Sequence, residues 1–348
     1  MARNETSLLN EYKAKQAKEE RDYPRAIDYM LLARDGALEA GDDWGYCRLT
    51  MEAALLEFDL GLLDECIQRL EELLQHPAIA NAQEAASRAR GILSHALREK
   101  GDTERALIFA EDALDVVPEQ SRELRLALQL SLVSSLAEEG EYESAWREAL
   151  ILEKIVGPEL GSKVMGNSYW AIGNAGFLSG RIQEGRKFHE LAASSLALMG
   201  DVNIWALFNK ASAHLRLDAG LTDSETLEFI ERAEVAISVA DGNQADVLEI
   251  LLARAHWELA TGSLSVAEQK LRDVATRAQR TFPYIRGQAL QLLVGCLRAL
   301  DRDAEALENA LECKEIFQEA GAKLRLSKIE ETIEALTASS ATSKEKQG

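Results

Sequence analysis

The stretch Ala86–Pro118, ASRARGILSHALREKGDTERALIFAEDALDVVP, contains one complete structural unit. Its first half carries apolar residues at helical spacing, and Gly101-Asp102-Thr103 then makes a turn in which glycine tolerates a left-handed backbone and Asp102 or Thr103 caps a second helix. Pro118 ends that second helix. The unit is therefore predicted to be two antiparallel helices that approach closely at small residues of the second helix, Ala106, Ala110 and Ala113.

The unit recurs along almost the whole chain. A small residue returns about every 40 positions, at Ala26, Cys66, Ala106, Ala145, Gly185, Ala267 and Ala306, and a weaker copy lies near Thr226. A turn residue stands five positions before most of these, at Gly61, Gly101, Gly140, Gly180, Gly262 and Asp301. A fixed period of this length predicts stacked helical hairpins, in which each unit contacts only its neighbours.

The pattern predicts one array over residues 1–336, with a C-terminal capping helix at 322–336 and a disordered tail at 337–348. The sixth unit has a longer connection, Asp218–Glu225, where Asp223 or Ser224 should cap the next helix. This irregularity indicates either a bend or drift of the repeat. The hairpins are expected near 7–40, 43–77, 83–118, 122–158, 163–199, 202–240, 244–280 and 284–320.

Composition agrees with an all-helical chain. Of 348 residues, 47% are hydrophobic and only 5 are proline. The formal net charge of −20 argues against direct contact with nucleic acid or an anionic membrane, which needs clustered positive charge. It indicates an acidic solvated surface, or basic partners.

Features of the sequence also suggest a cytoplasmic location. The N-terminus has no apolar signal core, and no run of 18 apolar residues occurs. The four cysteines, none in a CxxC pair, are expected to be free buried thiols, as suits a reducing compartment.

These residues resemble the tetratricopeptide repeat. The matches are a turn glycine, a small residue on the second helix and a closing proline, with aromatic or apolar residues at fixed offsets: Leu93, Gly101, Ala106, Ala113 and Pro118, then Gly140, Tyr142 and Ala145, then Tyr169, Ile172, Gly173 and Gly180. The period of about 40 exceeds the 34 residues of that family. In this it is similar to the longer-helix relatives in sensor arms of bacterial transcription activators and in peptide-pheromone receptors.

The resemblance implies a right-handed α-solenoid of about eight helical hairpins plus a C-terminal capping helix. Its first helices would line a concave groove. With the turn glycine as position 15, groove-facing side chains fall near positions 2, 5, 9 and 12. The fifth unit then offers Asn167, Trp170, Asn174 and Phe177, and the sixth, aligned through its tryptophan, offers Trp205 and Asn209.

Both of these units carry Trp-x-x-x-Asn, which places tryptophan and asparagine on one helix face. Asparagine can donate to and accept from a peptide backbone at once, and in peptide-binding members of this superfamily it holds the ligand there. Packing of the tryptophans between helices is the alternative. A basic set on the third unit, Arg88, His95 and Arg98, could receive a carboxylate, unless Glu99 and Glu104 neutralise it.

No motif for a nucleotide loop, a zinc protease or a nucleophile elbow is present, and the five histidines have no metal-like spacing. The sequence therefore predicts a non-enzymatic scaffold or adaptor without cofactor or metal. Its partner would be a protein or peptide segment, with no direct nucleic acid or membrane contact and a possible homodimer. The alternative is a peptide- or protein-responsive sensor that controls a transcription or signalling partner.

Overall fold

A computed structural model describes residues 5–80, 82–240, 243–279 and 281–345. These contain seventeen α-helices, one short 3-10 turn (Pro77–Ile79) and no strand. The chain divides inside one helix into two compact units, residues 1–188 and 189–348. The helices are α1 Glu5–Glu19, α2 Tyr23–Glu39, α3 Asp43–Asp59, α4 Leu63–Gln75, α5 Gln83–Glu99, α6 Thr103–Val116, α7 Arg122–Glu138, α8 Tyr142–Ile155, α9 Ser162–Leu178, α10 Ile182–Ala197, α11 Val202–Asp218, α12 Ser224–Val239, α13 Gln244–Ala260, α14 Leu264–Ala278, α15 Pro283–Ala299, α16 Asp303–Glu319 and α17 Lys323–Glu345.

The helices pair as hairpins, and each hairpin packs on the next within its unit. In the first unit α1 packs on α2, α2 on α3, and so on to α8 on α9; in the second unit the same order runs from α11 to α17. The prediction of eight hairpins followed by a terminal helix is confirmed. Odd-numbered helices also contact the next odd-numbered helix, as α5 contacts α7 and α11 contacts α13. They therefore form one layer of each unit.

The turn between the helices needs a left-handed backbone. Gly101 has φ +85°, and the corresponding position of the eighth hairpin, Asp301, has φ +58°. Asp102 then caps α6 by accepting a hydrogen bond from the backbone N–H of Arg105. Glycine adopts this conformation without strain, and aspartate is among the residues that tolerate it.

Small residues let the two helices of a hairpin meet. The repeating residues Ala26, Cys66, Ala106, Ala145, Ala267 and Ala306 have no exposed surface, and neither does Thr226 of the sixth hairpin. In the fifth hairpin two glycines lie at this contact. A β-carbon added at Gly176 would lie 2.9 Å from the backbone nitrogen of Gly185. Only a glycine pair allows that approach.

A second feature recurs four residues before the turn residue. Leucine occupies this buried position in some hairpins, such as Leu97, but charged residues occupy it in three others. Glu57 receives two hydrogen bonds from Arg69, at 2.8 and 2.5 Å, and Glu258 is paired with Lys270. These ion pairs join the two helices of one hairpin.

The third charged position is Arg216, in the sixth hairpin. Arg216 is fully buried, donates to Thr226 Oγ1 at 3.1 Å and to Glu225 at 2.5 Å, and lies with its guanidinium 5.1 Å from the centre of the Phe229 ring. Asp223 caps α12, as expected, by accepting from the Thr226 N–H at 2.9 Å. Arg216, Asp223 and Thr226 thus hold the long connection. Thr226 takes the place that alanine has in most other hairpins.

The four cysteines are free and buried, as predicted. Burial raises the pKa of the Cys47 thiol to about 11 and those of Cys66 and Cys313 to about 12. These thiols therefore stay protonated and serve as small apolar side chains.

The terminal helix α17 continues beyond the expected capping helix. It reaches Glu345, so the expectation of a disordered tail over 337–348 does not match the structure for 337–345. Residues 346–348 lie outside the described part of the chain. The sequence between 337 and 345 contains no glycine or proline, so no residue there interrupts the helix.

Enlarging the contact between two hairpin helices should destabilise the protein. We expect Ala106→Leu to lower the free energy of unfolding by about 1–3 kcal/mol, because the added atoms have no space. The measurement is urea unfolding followed by circular dichroism. Ile108→Leu, at a half-exposed position of the same helix, should change the free energy of unfolding by less than about 0.5 kcal/mol. Equal effects of the two variants would contradict the role of the small residue.

Candidate functional site

Each odd-numbered helix has a row of side chains that faces the neighbouring odd-numbered helix. We use the term inner face for a set of side chains on the odd-numbered helices. They lie 13, 10, 6 and 3 residues before the turn residue that follows each of these helices. Lys210, ten residues before Gly220, donates to Asp246 at 2.6 Å and to Glu249 at 2.5 Å on α13. His214, six residues before Gly220, has Nε2 3.1 Å from the carbonyl oxygen of Glu249. The turn residue therefore sets which side chains face the next odd-numbered helix.

At the start of the first unit, inner-face residues of α1 line an open groove of about 650 Å³ together with residues of α2 and α3. Two of its carboxylates, Glu11 and Glu52, are each paired with Arg48 at 2.8 Å. Tyr12 is exposed over 67% of its surface. The lining is half apolar and half charged: Leu8, Glu11, Tyr12, Ala14, Lys15, Lys18, Glu19, Met30, Leu49 and Glu52.

Sequence reasoning missed this groove. The first hairpin turns at Arg21, with φ +60°, where the second to seventh hairpins have glycine. Counting back from Arg21 would have placed Leu8, Glu11, Lys15 and Lys18 on the inner face. The signal was present but lacked the glycine that marks it elsewhere.

The basic set of the third hairpin is paired with carboxylates. Arg88 lies 3.4 Å from Glu84, His95 lies 3.7 Å from Glu99, and Arg98 lies 3.5 Å from Glu138. Burial and the nearby Arg98 charge lower the pKa of His95, so its ring is neutral at pH 7. Glu99 pairs as anticipated, and Glu138 on the next odd-numbered helix is an additional partner that the sequence did not indicate.

The fifth hairpin places three of its four predicted residues at partly exposed positions. Asn167, Trp170 and Asn174 are half-buried on α9. Phe177 is buried, 6% exposed, and its ring lies against Gly185 of α10. The prediction that Phe177 faces the groove is therefore wrong. Glycine at 185 leaves space for the ring, which turns into the hairpin.

The sixth hairpin departs further from the prediction. Asn209 has no exposed surface, and its amide donates to the Trp205 carbonyl oxygen at 2.7 Å. Trp205 is half-buried and its ring lies 5.9 Å from that of Phe208. Asn209 therefore cannot reach a ligand in this structure.

The error came from the alignment of the sixth hairpin. Aligning it through its tryptophan shifted the register, whereas Gly220, with φ +77°, is the true turn residue. Counting from Gly220, the residues that correspond to Trp170 and Asn174 are Lys210 and His214. The two Trp-x-x-x-Asn motifs are thus not equivalent in the fold.

Histidines occupy the inner face of the second unit. His214 and His256 both lie six residues before their turn residues, and burial lowers both pKa values, although Asp218 opposes the shift. Within the described residues, no group of three or more His, Cys, Asp or Glu side chains could hold a metal ion. No helix in the described part is long and apolar enough to cross a membrane. The inner face therefore offers hydrogen-bonding groups, apolar surface and a few ion pairs.

His189 predicts a loss of stability in acid. Burial, and then the Arg216 charge, lower its pKa to about 3. Below its ordinary pKa of about 6.5 the unfolded chain takes up a proton that the folded chain refuses, so stability is full above that pH and falls as the pH decreases toward 3. The measurement is the free energy of unfolding in urea at pH 7 and at pH 5. We expect it to fall by about 2 kcal/mol less for His189→Leu than for the wild type between these two pH values.

The control is Leu191→Ala on the same helix, which removes no titrating group and should keep the pH dependence of the wild type. If His189→Leu loses as much stability in acid as the wild type, His189 is not a source of the acid sensitivity.

The fold can now be compared with known structures. Neither a protein-family model nor a curated protein sequence matches this chain. Among solved structures, the chain is similar to the apo form of the quorum sensor NprR from B. thuringiensis, with a TM-score of 0.67 and 12% identity over 90% of this chain and 89% of that chain. A tetratricopeptide repeat protein from Parabacteroides merdae has a TM-score of 0.54 and 12% identity, over 82% of this chain and 100% of that chain.

A Rap protein complexed with competence and sporulation factor is also similar. Its TM-score is 0.53 at 14% identity, over 98% of this chain and 89% of that chain. All three likenesses are in structure rather than in sequence. They extend over most of both chains. The chain therefore shares the fold of these structures, one of which is a tetratricopeptide repeat protein.

Proposed function

We propose that this chain is a binding module that holds an extended peptide or protein segment on its inner face, without chemistry of its own. The observation that carries the proposal is the register of the odd-numbered helices. Their side chains at fixed distances from each turn residue lie on one layer of each unit. Such a row suits a segment without regular structure, because it offers contacts at repeated intervals.

In the first unit, α9 supplies the main contacts. Asn167 and Asn174 can each donate to and accept from a peptide backbone, and Trp170 between them offers a large flat apolar surface. Arg88, His95 and Arg98 lie on α5, and the ion pairs of the two arginines would have to exchange partners to receive a ligand carboxylate. We therefore assign them a weaker role, at the margin of the contact.

The α1–α3 groove is a second place of contact in the first unit. Its volume of about 650 Å³ falls within the range of small-ligand pockets and would accept one or two side chains. The exposed Tyr12 and Leu8 supply apolar contact there. Aromatic residues of this kind dominate the binding energy of interfaces.

A regulatory sensor is the second candidate function. The likeness to NprR, a quorum sensor, and to a Rap protein in complex with competence and sporulation factor favours it. In this alternative, a bound segment changes how the chain acts on a transcription or signalling partner. Hydrogen exchange of the chain with and without a bound peptide separates the two roles. A passive adaptor is protected only at the contact, whereas a sensor changes elsewhere as well.

Selection of peptides tests the binding function directly. The full chain, immobilised, is offered a displayed library of random dodecapeptides, and enriched peptides are synthesised for fluorescence anisotropy. We expect Trp170→Ala to weaken their binding by about thirtyfold, the cost of losing a central aromatic contact of about 2 kcal/mol. Asn174→Ala should weaken it less.

Ile108→Ala, half-exposed on an even-numbered helix, is the matched control and should bind as the wild type does. Circular dichroism of all variants separates lost contact from lost fold. If no peptide is enriched over an unrelated helical protein, the proposed function is wrong. If peptides bind but ignore Trp170 and Asn174, the contact lies elsewhere on the chain.

A further inference from the structure

Arg325, near the start of α17, is held by two neutral groups of α15. Its Nε donates to the hydroxyl of Tyr284 at 3.2 Å, and its Nη1 donates to Gln291 Oε1 at 2.8 Å. The guanidinium carbon lies 6.0 Å from the centre of the Tyr284 ring. Gln291 lies ten residues before the turn residue Asp301, which places Arg325 beside the inner face of the second unit.

No carboxylate of the described residues lies within 4.0 Å of Arg325. This is unusual in so acidic a chain, where the other half-buried cations of the second unit are paired. The closest comparison is Lys210, which is also ten residues before its turn residue and contacts two carboxylates of the next odd-numbered helix. In the α15–α17 pair, the cation is Arg325 on α17, and the residue of α15 that stands where Lys210 stands on α11 is the neutral Gln291. The paired half-buried cations are Lys210, Arg254, Lys270, Arg272, Arg286 and Lys314, and the fully buried Arg216 is paired as well.

The ring of His256 lies near Arg325. Burial lowers the pKa of His256, the Asp218 charge opposes this shift and the Arg325 charge adds to it, so the ring is neutral at pH 7. Arg298, exposed on α15 three residues before the turn residue, also has no described carboxylate within 4.0 Å. Arg325 and Arg298 are therefore two cations of α17 and α15 that no described carboxylate pairs.

Two of the guanidinium nitrogens are fixed by hydrogen bonds, which leaves Nη2 available. A guanidinium that is already oriented loses little side-chain entropy when it binds an anion. Hydrogen bonds between a guanidinium and a carboxylate are also stronger than neutral ones. The hydroxyl of Tyr284, 44% exposed, can take part at the same place.

We propose that Arg325, with Tyr284 and Gln291, forms a carboxylate-binding subsite on the inner face of the second unit. It receives an acidic side chain or the terminal carboxylate of the bound segment. This inference rests on the proposed function, and it adds a requirement that the fold alone does not impose. The segment that binds the second unit carries a carboxylate where it contacts α15 and α17.

The experiment uses peptides selected from a dodecapeptide library with free C termini on the full-length chain. Each carboxylate of an enriched peptide is replaced, one at a time, by the matching amide: Asp by Asn, Glu by Gln, and the terminal acid by a carboxamide. Affinities are measured for the wild type, Arg325→Gln and Lys314→Gln. The last variant removes a cation of α16 that is paired with Glu330 and lies outside the subsite.

We expect one carboxylate replacement to weaken binding to the wild type by about tenfold or more. The same replacement should leave the affinity of the Arg325→Gln variant unchanged. Lys314→Gln should behave as the wild type. The position of the sensitive carboxylate distinguishes a side chain from a peptide terminus.

Two other outcomes overturn the proposal separately. If the Arg325→Gln substitution lowers the affinity for acidic and amidated peptides equally, Arg325 only holds α17 against α15. The proposed subsite is then wrong, while the proposal of peptide binding stands. If no peptide is enriched at all, the proposed function itself fails and the subsite fails with it. Thermal unfolding of Arg325→Gln and Lys314→Gln reports any loss of fold in either case.

Discussion

The close approach of two helices at one small residue is the constraint on which each hairpin depends. Ala106 and its counterparts have no exposed surface, and the glycine pair of the fifth hairpin lies closer than any side chain would allow. Because helix separation depends on the side chains at the contact, this residue fixes the spacing within the hairpin. The left-handed turn residue five positions earlier fixes the angle at which the second helix returns.

The inner face follows from that geometry. Once turn and contact are set, side chains at given distances before the turn residue point toward the next odd-numbered helix, as Lys210 does toward Asp246. Where such a side chain, unlike Phe177, does not pack within its own hairpin, its replacement does not disturb the contact between the two helices. Binding residues can therefore change there while the fold stays the same, which is the usual relation between a scaffold and its sites.

The three charged residues that lie four positions before a turn residue are each paired. Glu57 and Glu258 are each paired across the hairpin, and Arg216 is held by Glu225, Thr226 and the Phe229 ring. A buried ion costs several kcal/mol in desolvation, so it persists only with such partners. Arg325 differs because its neighbours are neutral and it lies at an edge of the fold, where a partner from outside can reach it.

The sequence alone established the hairpins, because glycine and small residues have local effects that do not depend on distant contacts. Gly101 predicts its own left-handed turn, and Ala106 its own close contact. The sequence could not decide which polar residues face outward. Asn209 reads as a match to Asn174, yet it is buried, because the longer connection before Ser224 shifts the register of the sixth hairpin.

Pairing between odd-numbered helices was equally out of reach, since it joins residues more than 30 positions apart. Arg325 is one of many arginines in the sequence, and only its place beside Tyr284 and Gln291, 41 and 34 residues away, distinguishes it. The repeat therefore determined the architecture through local backbone and packing rules. The tertiary structure decided burial, charge pairing and the exposed face, because these depend on which helices become neighbours.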